Sequence, residues 1–219
     1  MKIFLLGGTG ATGQRFVEQA LKEKHEITAY VRNPTNLAVA DSNLHVIQGT
    51  LDDETKLKTS MKGHDAVVIA LGPRNPLGHE RVMETAVRSA LSAMKENGIK
   101  RIIYLSAFGV GDSRKYLPFI IRNILVPVFL RKVFAEHMVT ENMLKSSSVA
   151  YTILRPGGLT NKPRTGQYRT QDQFKGLVQI SRADVADFML KALKDPQWTN
   201  KTVGLANLFD RATRPGDFF

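Results

Sequence analysis

Four glycines stand within seven residues near the start of the chain, in the stretch GGTGATG. Their spacing fits two overlapping templates, Gly8-x-Gly10-x-x-Gly13 and Gly7-x-x-Gly10-x-x-Gly13. Glycines at this spacing let the backbone turn tightly around an anion, and a helix that starts there points unpaired N–H groups at it. A glycine turn used for packing alone is the alternative. The pattern predicts a pyrophosphate site whose residues are Gly7, Gly8, Thr9, Gly10, Ala11, Thr12 and Gly13.

The elements around the glycines support this prediction. Apolar runs alternate with amphipathic helical patterns along the chain, which is typical of a parallel sheet built from strand-helix-strand units. Helices are predicted from about Thr12, up to a stop at Gly98, and from the capping pattern Ser181-x-x-Asp184. Strands are predicted at 2–6, 26–31, 44–48, 66–71, 101–106, 151–154 and 203–206. We therefore predict an α/β fold with a single Rossmann-type, doubly wound parallel sheet flanked by helices over residues 1–219.

The end of the second predicted strand carries a cation. Sites selective for NAD place an acid there, about 20 residues after the glycines, where it binds the ribose hydroxyls. The stretch ITAYVRNPTN holds no acid and offers Arg32, which could bind a 2′-phosphate. Arg32 as a plain surface residue is the alternative. The sequence predicts NADPH as the cofactor.

Further candidate residues follow the later strands. In a doubly wound sheet the cofactor lies at the carboxyl edge of the strands. We expect the turn Leu71, Gly72, Pro73 and Arg74, together with Pro156 and Gly157, to bind the cofactor. Ser106 is the candidate catalytic residue, although a strand-end serine often caps the backbone, and Phe108 and Arg74 are candidate substrate contacts.

The pair of residues used by ordinary short-chain dehydrogenases is absent. Those enzymes use Tyr-x-x-x-Lys, in which the lysine lowers the pKa of a tyrosine that transfers a proton. Four residues after the five tyrosines stand Pro34, Phe108, Ile120, Arg155 and Asp172. His137 is expected to be structural, and with no cysteine and no histidine cluster we predict no metal site. Hydride transfer to a conjugated acceptor remains feasible, because the delocalised product anion can take its proton from water.

Composition limits the partners. The net charge is +11, but the basic residues are scattered, so we expect a solvated basic face and no nucleic-acid binding. The amino terminus enters an apolar run directly, which favours a cytoplasmic protein. The apolar stretch 116–130 holds Arg122 and two prolines and is shorter than the ~20 residues of a membrane span. We expect it to be buried or to cover the substrate, within an insert near 111–134; membrane contact is the less favoured alternative, and the oligomeric state is open.

Read in order, these segments resemble the atypical short-chain dehydrogenase/reductase group. The resemblance rests on GGTGATG, VRNP, GPRN, LSAF and ILRPG and covers residues 1 to about 195. Within the group, the chain is similar to the NAD(P)H-binding branch of NmrA-like proteins and NADPH-dependent flavin reductases (biliverdin reductase B). The resemblance implies that Arg32 and Thr9 lie near the 2′-phosphate and that Ser106 lies beside the nicotinamide. The branch's second basic residue is Asn36 here, an acid expected after the third strand is Thr50, and an expected histidine is Gly157.

Three hypotheses of function follow. The first is an NADPH-dependent reductase that transfers hydride to a flavin, a quinone-like ring or another conjugated small molecule, with FMN or FAD as substrate rather than prosthetic group. The second is a non-catalytic NADPH-binding sensor or regulator of the NmrA kind. The third is a reductase of the sugar-nucleotide or isoprenoid type.

Overall fold

The computed structural model describes residues 1–37, 39–72, 81–171, 174, 176 and 178–207, and its centre is an eight-stranded sheet. The strands, in chain order, are β1 (Lys2–Leu6), β2 (Glu26–Val31), β3 (Leu44–Gln48), β4 (Ala66–Ile69), β5 (Arg101–Leu105), β6 (Ala150–Pro156), β7 (Gly158–Thr160), β8 (Tyr168–Gln171), β9 (Gln179–Ser181) and β10 (Lys201–Asn207). The large sheet has the order β3-β2-β1-β4-β5-β6-β10-β8, and β7 pairs with β9 in a small parallel sheet. Every neighbouring pair in the large sheet is parallel except β10 with β8. The predicted doubly wound parallel sheet is confirmed.

Helices cover both faces of this sheet. They are α1 (Ala11–Lys22), α2 (Glu54–Met61), α3 (Val82–Asn97), α4 (Arg131–Lys145) and α5 (Arg182–Lys194), and a π-helix (Ile121–Leu130) leads directly into α4. The apolar faces of α1 and α5 pack together on one side, and those of α2, α3 and α4 pack on the other. The central strands carry apolar side chains on both faces, because helices cover both faces of the sheet.

The alternation along β1 shows how the two cores are divided. Ile3 and Leu5 point to the side of α1 and α5, while Phe4 and Leu6 point to the opposite core. All four side chains are buried. Full burial of a side chain of this size stabilises the fold by about 1.5–3 kcal/mol, so the strand is held from both faces.

The helix ends follow their sequence signals. Gly98 closes α3 with a φ of +69°, a left-handed conformation that favours glycine. The Ser181 hydroxyl accepts from the Asp184 N–H at 2.9 Å and caps α5, as its capping pattern predicts. The start of α3 is capped from outside: the Glu136 carboxylate on α4 accepts from the N–H groups of Met83 (2.6 Å) and Glu84 (2.9 Å). This contact joins α4 to the beginning of α3.

Two features depart from the sequence predictions. The short strands β7, β8 and β9 carry no apolar run that could have predicted them, and β8 joins the sheet antiparallel. The expectation that 116–130 is buried is wrong for most of the π-helix, of which Val126 is the buried residue. The apolar composition of this stretch suggested burial, but most of its side chains point away from the fold.

Candidate active site

The glycine-rich loop between β1 and α1 is packed too tightly for side chains. Gly7 has a φ of +96°, and a Cβ there would stand 2.6 Å from the Ala70 carbonyl oxygen. A Cβ on Gly13, in the first turn of α1, would stand 2.1 Å from the Gly7 carbonyl oxygen. The loop is therefore drawn against both the end of β4 and the start of α1. This close approach leaves bare backbone at the carboxyl edge of the sheet, as a pyrophosphate site requires.

The N-terminus of α1 is open. Its N-cap is Gly10, which makes no side-chain capping bond, and the first turn carries no acidic residue. The unpaired N–H groups and the positive end of the helix dipole therefore remain available to an anion. Gln14 fixes the neighbouring loops, because its amide donates to the carbonyls of Thr9 (3.2 Å) and Asn36 (3.1 Å).

A cleft of about 880 Å³ opens beside this loop. Its walls come from the ends of the first four strands and from the region where α3 begins. The lining residues are Leu6, Gly7, Thr9, Tyr30, Val31, Arg32, Asn33, Asn36, Gly49, Thr50, Leu51, Asp52, Leu71, Gly72, Arg81, Val82 and Thr85. The structure thus brings Gly7, Thr9, Arg32, Leu71 and Gly72 together in one cleft. The predicted Pro73 and Arg74 lie outside the described residues.

Arg32 and Arg81 are the two arginines that line this cleft, and Arg81 is paired with Glu84. Arg32 is exposed. Its guanidinium makes no hydrogen bond or ion pair within the described part of the chain, whereas its backbone carbonyl accepts from Gln48 (3.2 Å). A guanidinium held this way at the end of β2 is free to bind a phosphate. The described cleft residues therefore include a charge of the sign that a 2′-phosphate needs.

Asp52 is a cleft residue that the sequence reasoning missed. The acid expected after the third strand was sought at Thr50, but the chain runs two residues further before a carboxylate reaches the cleft wall. Thr50 is occupied differently, since its carbonyl accepts from the Tyr30 hydroxyl at 3.0 Å. The sequence does contain two adjacent acids after the third strand, Asp52 and Asp53. Asp53 caps α2, which leaves Asp52 as the acid at the cleft.

Ser106 belongs to a buried network with Glu141 and Arg155. The Ser106 hydroxyl donates to Glu141 at 2.7 Å, and the Arg155 guanidinium donates to both oxygens of the same carboxylate, at 2.9 and 2.6 Å. Arg155 also donates to Asp112 at 2.6 Å. Burial alone would raise the pKa of Glu141, but the hydrogen bonds and charge of Arg155 outweigh burial and hold the pKa below its ordinary value. Glu141 is therefore ionised and acts as an acceptor.

A second buried group lies beside this network. The Tyr104 hydroxyl lies 2.7 Å from Nδ1 of His137 and 2.7 Å from Oγ1 of Thr140. Burial lowers the pKa of His137 to about 4, so the ring is neutral at pH 7 and can accept from the tyrosine. Burial also raises the pKa of Tyr104 above that of an ordinary tyrosine. His137 therefore has a structural partner, as expected for a core histidine.

The other predicted contact residues, Phe108, Pro156 and Gly157, are not among the residues that line the cleft. Phe108 is buried and packs edge-on against Phe174, with ring centroids 5.8 Å apart. The Pro156 carbonyl accepts from the Phe108 N–H at 2.9 Å, and the Gly157 N–H donates to Leu205. A Cβ on Gly157 would stand 2.3 Å from the Val178 carbonyl oxygen, so this glycine serves a close approach between loops.

A second cavity of about 460 Å³ lies next to the connection after β5. Apolar side chains form most of its wall, and two arginines stand at it. The lining residues are Gly109, Gly111, Arg114, Val126, Pro127, Arg131, Phe134, Ala135 and Met138. The predicted substrate pocket of Ser106, Phe108 and the apolar stretch is therefore only partly reproduced: the stretch lines a cavity, but Ser106 and Phe108 are not among its lining residues. Within the described ranges, no group of three or more His, Cys, Asp or Glu side chains could hold a metal ion.

Comparisons with known proteins identify the family and support the fold. The model of a family described as NAD(P)H-binding matches residues 7–196. The uncharacterised sugar epimerase YhfK of Bacillus subtilis is 29% identical over 215 residues, which cover 94% of both chains. ChuY, an anaerobillin reductase from Escherichia coli, superposes with a TM-score of 0.80 at 22% identity over 96% of this chain and 99% of its own. A short-chain dehydrogenase/reductase from Veillonella parvula, solved in complex with NADP, gives 0.77 at 21% identity over 98% of each chain.

Proposed function

Because the chain belongs to the NAD(P)H-binding family, we propose that it is an NADPH-dependent oxidoreductase that passes hydride to a flat, conjugated acceptor such as a flavin or a quinone-like ring. The observation that carries the proposal is the cleft, whose wall includes Gly7 and Thr9 of the glycine loop and Arg32, which has no partner among the described residues. The uncapped N-terminus of α1 directly follows this loop. Membership of this family agrees with the oxidoreductase class that the sequence predicts.

The residues of the cleft fit NADPH. The backbone from Gly7 to Gly13 and the start of α1 would hold the pyrophosphate, since no side chain caps the N–H groups at this helix N-terminus. Arg32, with Thr9 beside it in the cleft wall, would hold the 2′-phosphate. Bound NADPH would supply the hydride. The chain's own task is to bind and orient it, and orientation accounts for most of the rate in such reactions.

Ser106 is suited to orient the nicotinamide. Its hydroxyl proton is committed to the ionised Glu141, so its oxygen is left to accept a hydrogen bond. The carboxamide of a nicotinamide has N–H donors that match this acceptor. The strand register pairs Ile69 with Tyr104, so the residues after β4 and after β5 reach the same edge of the sheet. We place Ser106 there as the residue that contacts the nicotinamide.

The proton supply favours a conjugated acceptor. The Tyr-x-x-x-Lys pair is absent from the sequence, and burial keeps Tyr104 protonated by raising its pKa, which outweighs the opposite effect of the hydrogen bond that Thr140 donates. A ketone would need a proton from the enzyme as hydride arrives, whereas a reduced flavin or quinone delocalises its charge until water protonates it. This reasoning supports a flat ring system over a simple carbonyl.

The cavity of 460 Å³ is the candidate acceptor site. Phe134, Met138, Val126 and Pro127 offer apolar walls, and Arg114 and Arg131 offer positive charge at the same cavity. Such a lining fits an apolar ring that carries a phosphate or a carboxylate.

A non-catalytic NADPH sensor is the second candidate function. It is favoured by the pairing of Ser106, Glu141 and Arg155 with one another, which leaves this network without a free acid.

The test is an NADPH-oxidation screen against FMN, FAD, riboflavin, quinones and biliverdin. We expect steady turnover with at least one of them, and with FMN preferred over riboflavin because of the two arginines at the cavity. Arg114→Gln should raise the KM for FMN by about tenfold and leave riboflavin within about twofold. Arg15→Gln, at an exposed arginine on α1, is the matched control. Tight NADPH binding with no turnover on any acceptor would instead support the sensor.

A further inference from the structure

The outer side of the π-helix, together with the two residues before it, is the most exposed apolar surface in the described part of the chain. Phe119 is 70% exposed, Ile120 65% and Val128 61%. We call this surface the apolar face, and it consists of Phe119, Ile120, Ile124, Leu125, Val128 and Phe129. Large apolar side chains are exposed singly on many proteins, but a contiguous group of them marks a contact site.

The helix geometry explains why the face is left open. Val126 is buried, and with Pro127 it forms part of the wall of the 460 Å³ cavity. The remaining apolar positions lie around the outside of the helix and have no core residue to cover them. The apolar face is therefore held in position by the fold while taking no part in the core.

Basic residues frame this face. From residue 113 to residue 135 the sequence contains Arg114, Lys115, Arg122, Arg131 and Lys132 and no acidic residue. Arg122 is tied to the segment before the helix, since its backbone carbonyl accepts from Arg114 and its guanidinium donates to the Lys115 carbonyl. The partner of this surface must therefore be apolar and negatively charged at once.

We propose that the apolar face docks on the surface of an anionic lipid bilayer. A second copy of this chain would bring the same five cations against the first, and like charges disfavour that contact. A lipid surface satisfies both needs, because acyl chains accept the apolar side chains and acidic headgroups pair with Arg and Lys. No helix in the described ranges is long and apolar enough to cross a bilayer. This proposal is independent of the reductase activity.

Vesicle co-sedimentation tests the proposal directly. The full chain is spun with phosphatidylcholine vesicles that contain about 30 mol % phosphatidylglycerol, and with phosphatidylcholine alone. We expect binding to the anionic vesicles at least about tenfold tighter than to the neutral ones, weakening as NaCl rises because exposed charges are screened. The double variant Ile124→Ser with Phe129→Ser should bind anionic vesicles at least about tenfold more weakly.

Two controls keep the test decisive. Val46→Ser removes an exposed apolar side chain from β3 and should bind vesicles like the native chain. NADPH affinity and the unfolding midpoint of the double variant should match those of the native chain, because both replaced side chains are exposed. The proposal is overturned if anionic vesicles fail to bind the native chain or if the double variant binds equally well. It is also overturned if ultracentrifugation shows a dimer that the double variant dissociates, since a second copy would then cover the face.

Discussion

The two halves of the carboxyl edge handle charge in opposite ways. At the ends of β1 to β4, backbone N–H groups and the Arg32 guanidinium are left open in a wide cleft. At the ends of β5 and β6, the charges of Glu141 and Arg155 are buried and paired, and Ser106 is bonded to the same carboxylate. The groups of the open half are available to bind a charged ligand. A closed half holds one hydroxyl in a fixed direction whether or not a ligand is present.

The largest expected effect comes from breaking the closed half. Glu141→Ala would leave Arg155 as a buried charge without its main partner, and we expect the free energy of unfolding to fall by about 3–5 kcal/mol. Urea unfolding at pH 7 measures this. Glu18→Ala, at an exposed pair with Arg15, should cost about 1 kcal/mol or less. Equal losses in the two variants would show that the buried network is no stronger than a surface pair.

The same residue predicts a pH dependence. Because Arg155 holds the pKa of Glu141 below its ordinary value despite burial, the stabilising contribution is fully present above that ordinary value. It is lost as the pH falls through the lowered pKa of the folded state, since protonation removes the charge that Arg155 binds. The native chain should therefore lose more stability on acidification below pH 5 than Glu141→Ala does.

The next effect comes from filling the open half. Gly13→Ala places a Cβ 2.1 Å from the Gly7 carbonyl oxygen, which forces the glycine loop away from α1. We expect NADPH to bind about 100-fold more weakly, which corresponds to roughly 2.7 kcal/mol. Calorimetry gives the affinity. Gly158→Ala, where the nearest atom would be 3.6 Å away, should leave it unchanged. A Gly13→Ala chain with native affinity would remove the loop from the cofactor site.

A smaller effect is expected from the cation of the open half. Arg32→Ala should remove a charge-assisted contact worth about 1.5–3 kcal/mol with the 2′-phosphate and narrow a preference for NADPH over NADH by about tenfold or more. NADH, which lacks that phosphate, should bind with nearly unchanged affinity. Arg15→Ala is the matched control on α1. If the native chain bound both cofactors equally, Arg32 would have no role in selecting between them.

The smallest effect sharpens the division between the halves. Tyr104→Phe should leave turnover with the best acceptor within about tenfold, because losing a true general acid typically costs 10²–10⁴. The cost should appear in stability, at about 1–3 kcal/mol, because His137 would lose a hydrogen-bonding partner in the core. Tyr151→Phe, at a half-buried tyrosine of β6, is the control. A collapse of turnover in Tyr104→Phe with NADPH binding intact would give this tyrosine a catalytic role.

The open half could be predicted from the sequence because its information is local. Gly7 to Gly13 lie on one turn, and Arg32 directly follows a strand whose end is marked by its apolar run. The central strands were predicted for the same reason, since strands covered on both faces are continuous apolar runs. The edge strand β8, with the sequence YRTQ, has no such run and was missed.

The closed half could not be predicted because its members are far apart along the chain. Ser106, Glu141 and Arg155 come from the end of β5, from α4 and from β6, and no spacing in the sequence links them. Phe108, an aromatic residue just after a strand, is predicted as a substrate contact, and this stays a prediction. Its packing partner Phe174 lies 66 positions later, and no spacing in the sequence links the two. The apolar composition of the π-helix likewise predicts burial, but it does not say which surface covers these side chains.

The capping of α3 by Glu136 has a consequence for how the molecule responds to its ligands. α3 begins at the wall of the 880 Å³ cleft, and α4, which carries Glu136, continues from the π-helix. A single carboxylate thus forms a joint between the wall of the cleft, where we propose that NADPH binds, and the helix that continues from the apolar face. Thermodynamic reciprocity applies to any such joint: whatever factor docking at the face contributes to NADPH affinity, NADPH must contribute to docking. Glu136→Ala would remove both capping bonds and so bring this factor towards one, while leaving both surfaces in place.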